Sequence, residues 1–352
     1  MPAHIARPTT VLAPHKITTS EIADDIRAHH PDHPRLRAIL RVLDNCGVDS
    51  RYFTQPLTAD TISGTADVGE RVTRAFADGL SMAEAAARAT LDRYGLRPGD
   101  ITGIITTHAT GWAVPNLDIH LVHRLGLRPT VRRTALTTTA CAGGAHALIR
   151  AAEQALLHPG SRVLVVAAEV LSTAYNHNDT KIEHMIYKAL FGDSGAATIV
   201  SSEPLGPGLA VTANGLFEYA LPDSLAMYAG RIGTDGLHFD STKQAVGGAR
   251  HVMPAVLDWL DGRPVDVPVI HPGSKPIIMD TATALGLDED DARHSLDTLS
   301  EEGNLGGVSV LRVLERTHEQ PPADGTAMLA VAYGPGFSVT ALHGIWTDQG
   351  HR

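Results

Sequence analysis

Cysteine is nearly absent: 352 residues contain two, Cys46 and Cys141. Two thiols cannot build a disulfide framework, and this usage fits a reducing cytoplasm. Aromatic residues are scarce at 5%, and charged residues reach only 19%. With 43% hydrophobic residues and abundant Ala and Gly, that balance excludes disorder and suits closely packed α/β layers. Positive charge is in deficit, 29 Lys and Arg against 39 Asp and Glu, for a net charge of −10. General nucleic-acid binding is thereby excluded, and an anionic ligand must be met by a local basic patch. Long apolar runs are also missing. The strongest, Val163 to Leu171, is too short to span a bilayer and contains Glu169. Met1 to Lys16 has prolines and no apolar segment, which predicts no signal peptide and a cytoplasmic protein. No nucleotide-binding glycine fingerprint follows a strand.

The chain is long enough for a large core, in one domain or two fused halves. Ser81-Met82-Ala83-Glu84 reads as a capping box opening a helix to about Tyr94. Strands are expected at Ile101 to Thr107, Arg162 to Ala168 and Gly195 to Ser201, and a helix around Leu117 to Leu125. The alternation restarts in the second half. Val252 to Leu260, Ile277 to Leu285 and Leu305 to Leu314 read as helices, and Val267 to His271, Ala327 to Tyr333 and Ser338 to Leu342 as strands. This predicts a mostly parallel sheet covered by helices on both faces. The division is expected between residues 1–205 and 206–352, where Pro204, Gly206, Pro207 and Gly208 cluster.

Cys141 lies in Thr138-Thr139-Ala140-Cys141-Ala142-Gly143-Gly144-Ala145. Upstream is a Thr-rich extended stretch; downstream, Ala145, Leu148, Ile149, Ala152, Ala155 and Leu156 recur at helical spacing. The cysteine is therefore placed where a strand hands over to a helix, whose N-terminus is expected to lower the thiol pKa. The two glycines allow close approach of backbone or substrate. His271, at the end of an apolar strand, and Asn304, at a helix start, stand in matching places of the second half. An imidazole serves a nucleophilic thiol as proton acceptor or ion-pair partner, and an amide completes a site for a developing oxyanion. Gly192-Asp193-Ser194-Gly195 lacks the spacing of a serine elbow. Pro31 and Pro34 break any metal-binding face through His29, His30, Asp32 and His33, so no metal is expected.

These residues resemble the type III polyketide synthases, the chalcone-synthase-like branch of the thiolase superfamily. The likeness rests on Cys141 with its Ala-Gly-Gly, His271-Pro272-Gly273, Gly303-Asn304 and Gly334-Pro335-Gly336-Phe337. Asp179-Thr180-Lys181, Ala189-Leu190-Phe191-Gly192-Asp193 and Gly236-Leu237-His238-Phe239 extend it. His15-Lys16-Ile17-Thr18 and Asp32-His33-Pro34-Arg35 are similar to the bacterial, phloroglucinol-synthase-like members.

The resemblance implies a thiolase-like five-layer αβαβα fold of two similar halves, and a homodimer. It implies that Cys141 holds the acyl starter while His271 and Asn304 bind malonyl-CoA during loss of CO2. Phe191 and Phe239 match gate phenylalanines, and Thr110, Trp112, Val114 and Pro335 match cavity positions. Val114 stands where one subunit reaches into its partner, and Trp112 either narrows the pocket or points into the subunit interface. Arg35, Arg37 and Arg41 form the implied CoA patch, with Ser274 added to it. The implied partners are malonyl-CoA and an acyl-CoA starter, with no cofactor beyond CoA thioesters, no nucleic acid and no membrane. Two other readings stand beside this one. The first is a single-condensation enzyme resembling ketoacyl-carrier-protein synthase III, or an acyltransferase of the same fold; Pro272-Gly273 argues against it. The second is a non-catalytic subunit that binds acyl-CoA, against which the joint presence of Cys141, His271 and Asn304 speaks.

Overall fold

A computed structural model of the chain describes residues 1–349. The first strands are β1 (Ala3–Ile5), β2 (Thr9–Leu12), β3 (His15–Thr18) and β4 (Ser50–Phe53). Next come β5 (Gly103–His108), β6 (Arg132–Thr137), β7 (Arg162–Glu169), β8 (Ser194–Ser201) and β9 (Gly208–Ala220). The last are β10 (Tyr228–Gly233), β11 (Gly236–Ser241), β12 (Val267–Ile270), β13 (Ala327–Gly334) and β14 (Ser338–Thr347). Ten of them form one sheet in the order β12-β13-β14-β9-β1-β8-β7-β5-β6, with β2 beside β8. The strands before residue 205 fill one end, and those after 206 fill the other.

The expectation of a mostly parallel sheet is corrected. Only β5–β6, β5–β7 and β12–β13 run parallel; β7–β8, β8–β1, β1–β9, β9–β14 and β13–β14 are antiparallel. The tight Gly334-Pro335-Gly336 turn forces β13 and β14 into a hairpin, because parallel neighbours require a long crossover.

Helices occupy three levels. Gly143–Leu157 and Ser309–Glu319 pack into the central core, Ala145, Leu148 and Ala152 beside Val310, Leu311 and Leu314. These alanines admit strands closely on several sides. Val68–Arg93 and Leu117–Leu125 cover one outer face. Gly248–Leu260 and Lys275–Ala284 cover the other. That is the layered arrangement implied by the thiolase resemblance.

One helix start is corrected. Val68–Arg93 begins well before Ser81, because Asp67 caps it by accepting the Glu70 N–H at 2.9 Å. Ser81 therefore lies mid-helix. The helix expected from Leu305 begins only at Ser309, after a 3-10 turn at Gly306–Val308, and runs to Glu319, so Asn304 precedes it in a loop; the strand from Ser338 continues to Thr347, and the other elements fall within a few residues of their expected limits. Among the described residues, no helix is long and apolar enough to cross a membrane.

Candidate active site

β6 ends at Thr137, and the chain then makes a strained entry to the helix Gly143–Leu157. Thr138 and Ala140 hold φ of 61° and 48°, values that residues with a Cβ seldom adopt. Cys141 sits between them and the helix, in the 3-10 turn Ala140–Ala142, and is buried. Gly144 explains the paired glycines. A Cβ there would lie 2.2 Å from the Gly307 carbonyl oxygen, so backbone is what approaches closely.

That neighbouring backbone belongs to the Asn304 loop. Gly303 has φ of 77°, and a Cβ on it would meet the Leu190 carbonyl oxygen at 2.6 Å. Asn304 is fastened at three points. Its N–H donates to Leu190 at 2.8 Å, its carbonyl accepts from Gly192 at 3.0 Å, and its Oδ1 accepts from the Gly306 N–H at 2.9 Å. With Oδ1 committed, Nδ2 points at the sulfur, 4.0 Å from Cys141 Sγ.

His271 follows β12, and its N–H donates to Val331 of β13 at 2.8 Å. The Ala140–Ala142 turn packs against that same β13, which ties both segments to one strand. The imidazole is buried, and its Nδ1 has no hydrogen-bond partner among the described residues.

Burial decides the electrostatics. It pushes the Cys141 thiol up to about 12, and the charge of Glu169 adds to the shift, while the Asn304 amide opposes it. The expected lowering by the helix N-terminus is thus corrected: loss of solvation for a thiolate outweighs a partial helix charge. Burial likewise pushes His271 down to about 3, which leaves the ring neutral. Glu169, closing the apolar strand β7, is buried and pushed up to about 8, with Ala109 and Thr110 bonding its carboxyl. Sequence reasoning missed Glu169 as a site group; the available signal was an ionisable residue inside an apolar strand.

A cavity of about 480 Å³ opens beside the cysteine turn, lined among others by Thr138, Ala140, Tyr228, Phe239 and Pro335. Phe191 meets Phe239 edge-on at 5.3 Å, and Tyr228 stacks on Phe239 at 5.9 Å. Tyr228 and Phe239 line the cavity, whereas Phe191, expected there, stands behind Phe239 and is not part of the lining.

The remaining expected residues separate. Thr110 is buried, accepts the Val170 N–H at 2.8 Å and does not line the large cavity. Trp112 and Val114 are 70% and 82% exposed, so neither fills the cavity of its own chain. Arg35, Arg37 and Arg41 stand exposed on and just before the helix Leu36–Asp44, outside the cavity lining. Ser274 is half-buried and caps the helix Lys275–Ala284, its hydroxyl accepting the Ile277 N–H, so that oxygen already has a structural partner. The cluster at His29, His30, Asp32 and His33 does not form; His33 instead bonds the Thr180 carbonyl at 3.1 Å.

The chain is similar to known proteins in sequence and fold. The family profile of chalcone and stilbene synthases, N-terminal domain, matches residues 20–204. The 1,3,6,8-tetrahydroxynaphthalene synthase of Streptomyces coelicolor is 30% identical over 98% of this chain and 92% of its own. The phloroglucinol synthase of Pseudomonas fluorescens is 29% identical over 97% of this chain and 98% of its own. Among solved structures, germicidin synthase from Streptomyces coelicolor, a type III polyketide synthase, superposes with a TM-score of 0.92 at 26% identity, covering 98% of this chain and 100% of that one. With a buried cysteine facing an asparagine amide beside an aromatic-walled cavity, this chain belongs to the chalcone and stilbene synthase family, the type III polyketide synthases.

Proposed function

We propose that this enzyme condenses malonyl-CoA units, with loss of CO2, onto an acyl group carried by Cys141, and releases a small aromatic or pyrone product. The observation that carries this reading is the Asn304 amide aimed at the Cys141 sulfur next to the cavity. The resting pair is a neutral thiol and a neutral imidazole. Attack on a thioester therefore moves the proton as the S–acyl bond forms: the thiol proton passes by way of His271 to the departing CoA sulfur. Malonyl-CoA then loses CO2, and the electron pair of the broken C–C bond becomes an enolate. The Asn304 amide and an imidazole N–H, both neutral donors in a dry site, stabilise its oxygen. The enolate carbon attacks the Cys141 acyl group, the C–S bond breaks, and the sulfur is free to take up the lengthened chain. A cavity of about 480 Å³ suits a small ring system.

The exposed guanidinium groups of Arg35, Arg37 and Arg41 are proposed to meet the CoA phosphates. Trp112 and Val114, apolar and outward-facing, are proposed to pack on a second copy in a homodimer, measurable as the mass in solution by light scattering. The reaction as proposed needs no cofactor beyond the CoA thioesters.

The test is product mass. Purified protein is incubated with malonyl-CoA alone and then with short, long and aromatic acyl-CoAs. Products growing by successive two-carbon units without carrier protein are expected. Release of CO2 with no chain beyond one extension would overturn the iterative reading.

A further inference from the structure

A second cluster of chemically active side chains lies outside the cysteine site. Asp179, His184 and His238 are 9%, 7% and 5% exposed, and one ligand atom from each lies within 4.8 Å of the others. They are brought together from three places: the loop before the helix Ile182–Leu190, that helix itself, and β11. Both imidazoles direct Nδ1 at the same oxygen, Asp179 Oδ2, His238 at 3.1 Å and His184 closer. Each ring also has its outer nitrogen on a further carboxylate. His184 Nε2 meets Asp240 at 3.1 Å, and His238 Nε2 meets Asp235 at 2.8 Å.

Two charge states fit this chain of contacts. In one, both rings are doubly protonated, so that four N–H groups face three carboxylates. In the other, each ring is neutral, donates Nε2–H outward, and leaves an Nδ1 lone pair facing inward with Asp179. The second turns two imidazole lone pairs toward one carboxylate oxygen, a repulsion that a cation held among the three would relieve, with each ring oriented by its own outer carboxylate. That is the usual construction of a protein metal site, ligands inside and orienting carboxylates behind them. With the donors drawn apart from their present hydrogen-bond contacts, one ion at bond lengths of about 2.0–2.2 Å would meet all three. Other charges nearby are already engaged. Arg231 bonds Asp240 at 2.7 Å, and the Lys188 ammonium donates to the Asp179 backbone carbonyl at 3.2 Å.

We propose that Asp179, His184 and His238 form a binding site for a divalent transition cation of the Zn(II) type, with Asp235 and Asp240 as positioning residues. The ion substitutes for the shared proton contacts at Asp179 Oδ2. It ties the helix that leads into Phe191 to the strand that carries Phe239, whose ring lines the cavity and meets the Phe191 ring edge-on.

The experiment uses untagged full-length protein, stripped with a chelator, then titrated with Zn2+ by calorimetry and with Co2+ by visible absorption. One ion per chain is expected, with a Co2+ ligand-field band that His238→Gln abolishes. Asp235→Asn leaves every ligand in place and removes only an outer carboxylate on a half-exposed side chain. It is expected to weaken Zn2+ binding roughly 10- to 100-fold. His177→Gln alters a separate, more exposed cluster with Asp25 and His29, and is expected to leave the titration unchanged. Absence of uptake by the wild-type protein overturns the proposal, as does unweakened binding in Asp235→Asn or loss of binding in His177→Gln. The Asp235→Asn comparison decides the matter even if His238→Gln does not fold.

Discussion

Asn304 presents Nδ2 to Cys141 Sγ at 4.0 Å because its Oδ1 is already held by the Gly306 N–H. The amide orientation is thus set by backbone two residues away, and only the donor end is free for chemistry. Asn304→Ala is expected to cost roughly 10²–10³ in turnover, the usual loss for one oxyanion donor, and also to lower the thermal midpoint, because it leaves the buried Gly306 N–H without its acceptor. Steady-state kinetics with malonyl-CoA checks this; a wild-type rate would reduce Asn304 to a loop fastener.

Cys141→Ala removes the proposed acyl carrier and leaves Asn304 and His271 in place. Condensation is expected to vanish while some decarboxylation of malonyl-CoA persists. Release of CO2 and product mass, measured on the same sample, separate the two steps, and residual condensation would refute the assignment of the nucleophile.

The resting thiol is predicted to be sluggish. An ordinary cysteine titrates near ~8.5, whereas burial pushes Cys141 up to about 12. Labelling by iodoacetamide at pH 8 should therefore be slower than for a free reference thiol. Glu169→Gln removes a negative charge that favours the neutral thiol, so its labelling profile should move to lower pH. An unchanged profile would deny the coupling between the two groups.

Gly303→Ala tests the backbone that delivers Asn304. At φ of 77° and ψ of −167° Gly303 holds a conformation nearly reserved for glycine, costing a residue with a Cβ ~1–3 kcal/mol, and here that Cβ would also sit 2.6 Å from the Leu190 carbonyl oxygen. Stability is expected to fall by at least that amount, with turnover falling alongside it. Chemical denaturation and kinetics on one preparation provide the comparison.

His318, packed edge-on against Trp346, is pushed down to about 3 mainly by burial, with Arg7 and Arg93 adding to the shift. Its folded value lies below the unfolded value of ~6.5, so the unfolded chain binds a proton that the native state refuses. The stabilisation is complete above ~6.5 and is lost as pH falls toward about 3. His318→Phe should lessen the acid sensitivity of unfolding over that window, measured as midpoint against pH.

Local chemistry made much of this legible from sequence alone. Cys141 with its glycines, the apolar strand ending at His271 and the Gly303-Asn304 pair each carry their signal within a few neighbours, because strand ends, helix starts and glycine turns are short-range features. The helix around Leu117 to Leu125 and the strand at Arg162 were readable for the same reason: periodicity needs only a dozen residues. The true start of Val68–Arg93 was obscured because Ser81-Glu84 imitates a cap while Asp67 does the capping.

Solvent exposure and distance in space were set by the packed chain. Whether Cys141 is activated or suppressed depends on burial, and burial by β13 and the Asn304 loop outweighs the helix end that the sequence displays. Trp112 and Thr110 are two residues apart, yet one stands in solvent and the other inside, because the chain direction past β5 is set by packing. Asp179, His184 and His238 cannot be read as one cluster from sequence, since His238 arrives on β11, far along the chain from the helix that carries His184. Local sequence pattern was enough to single out Cys141, His271 and Asn304 and to anticipate the layered fold. Sheet direction, the protonation states of the site and the His–Asp cluster beside Phe191 and Phe239 came from long-range packing, which sets solvation and proximity that no local pattern encodes.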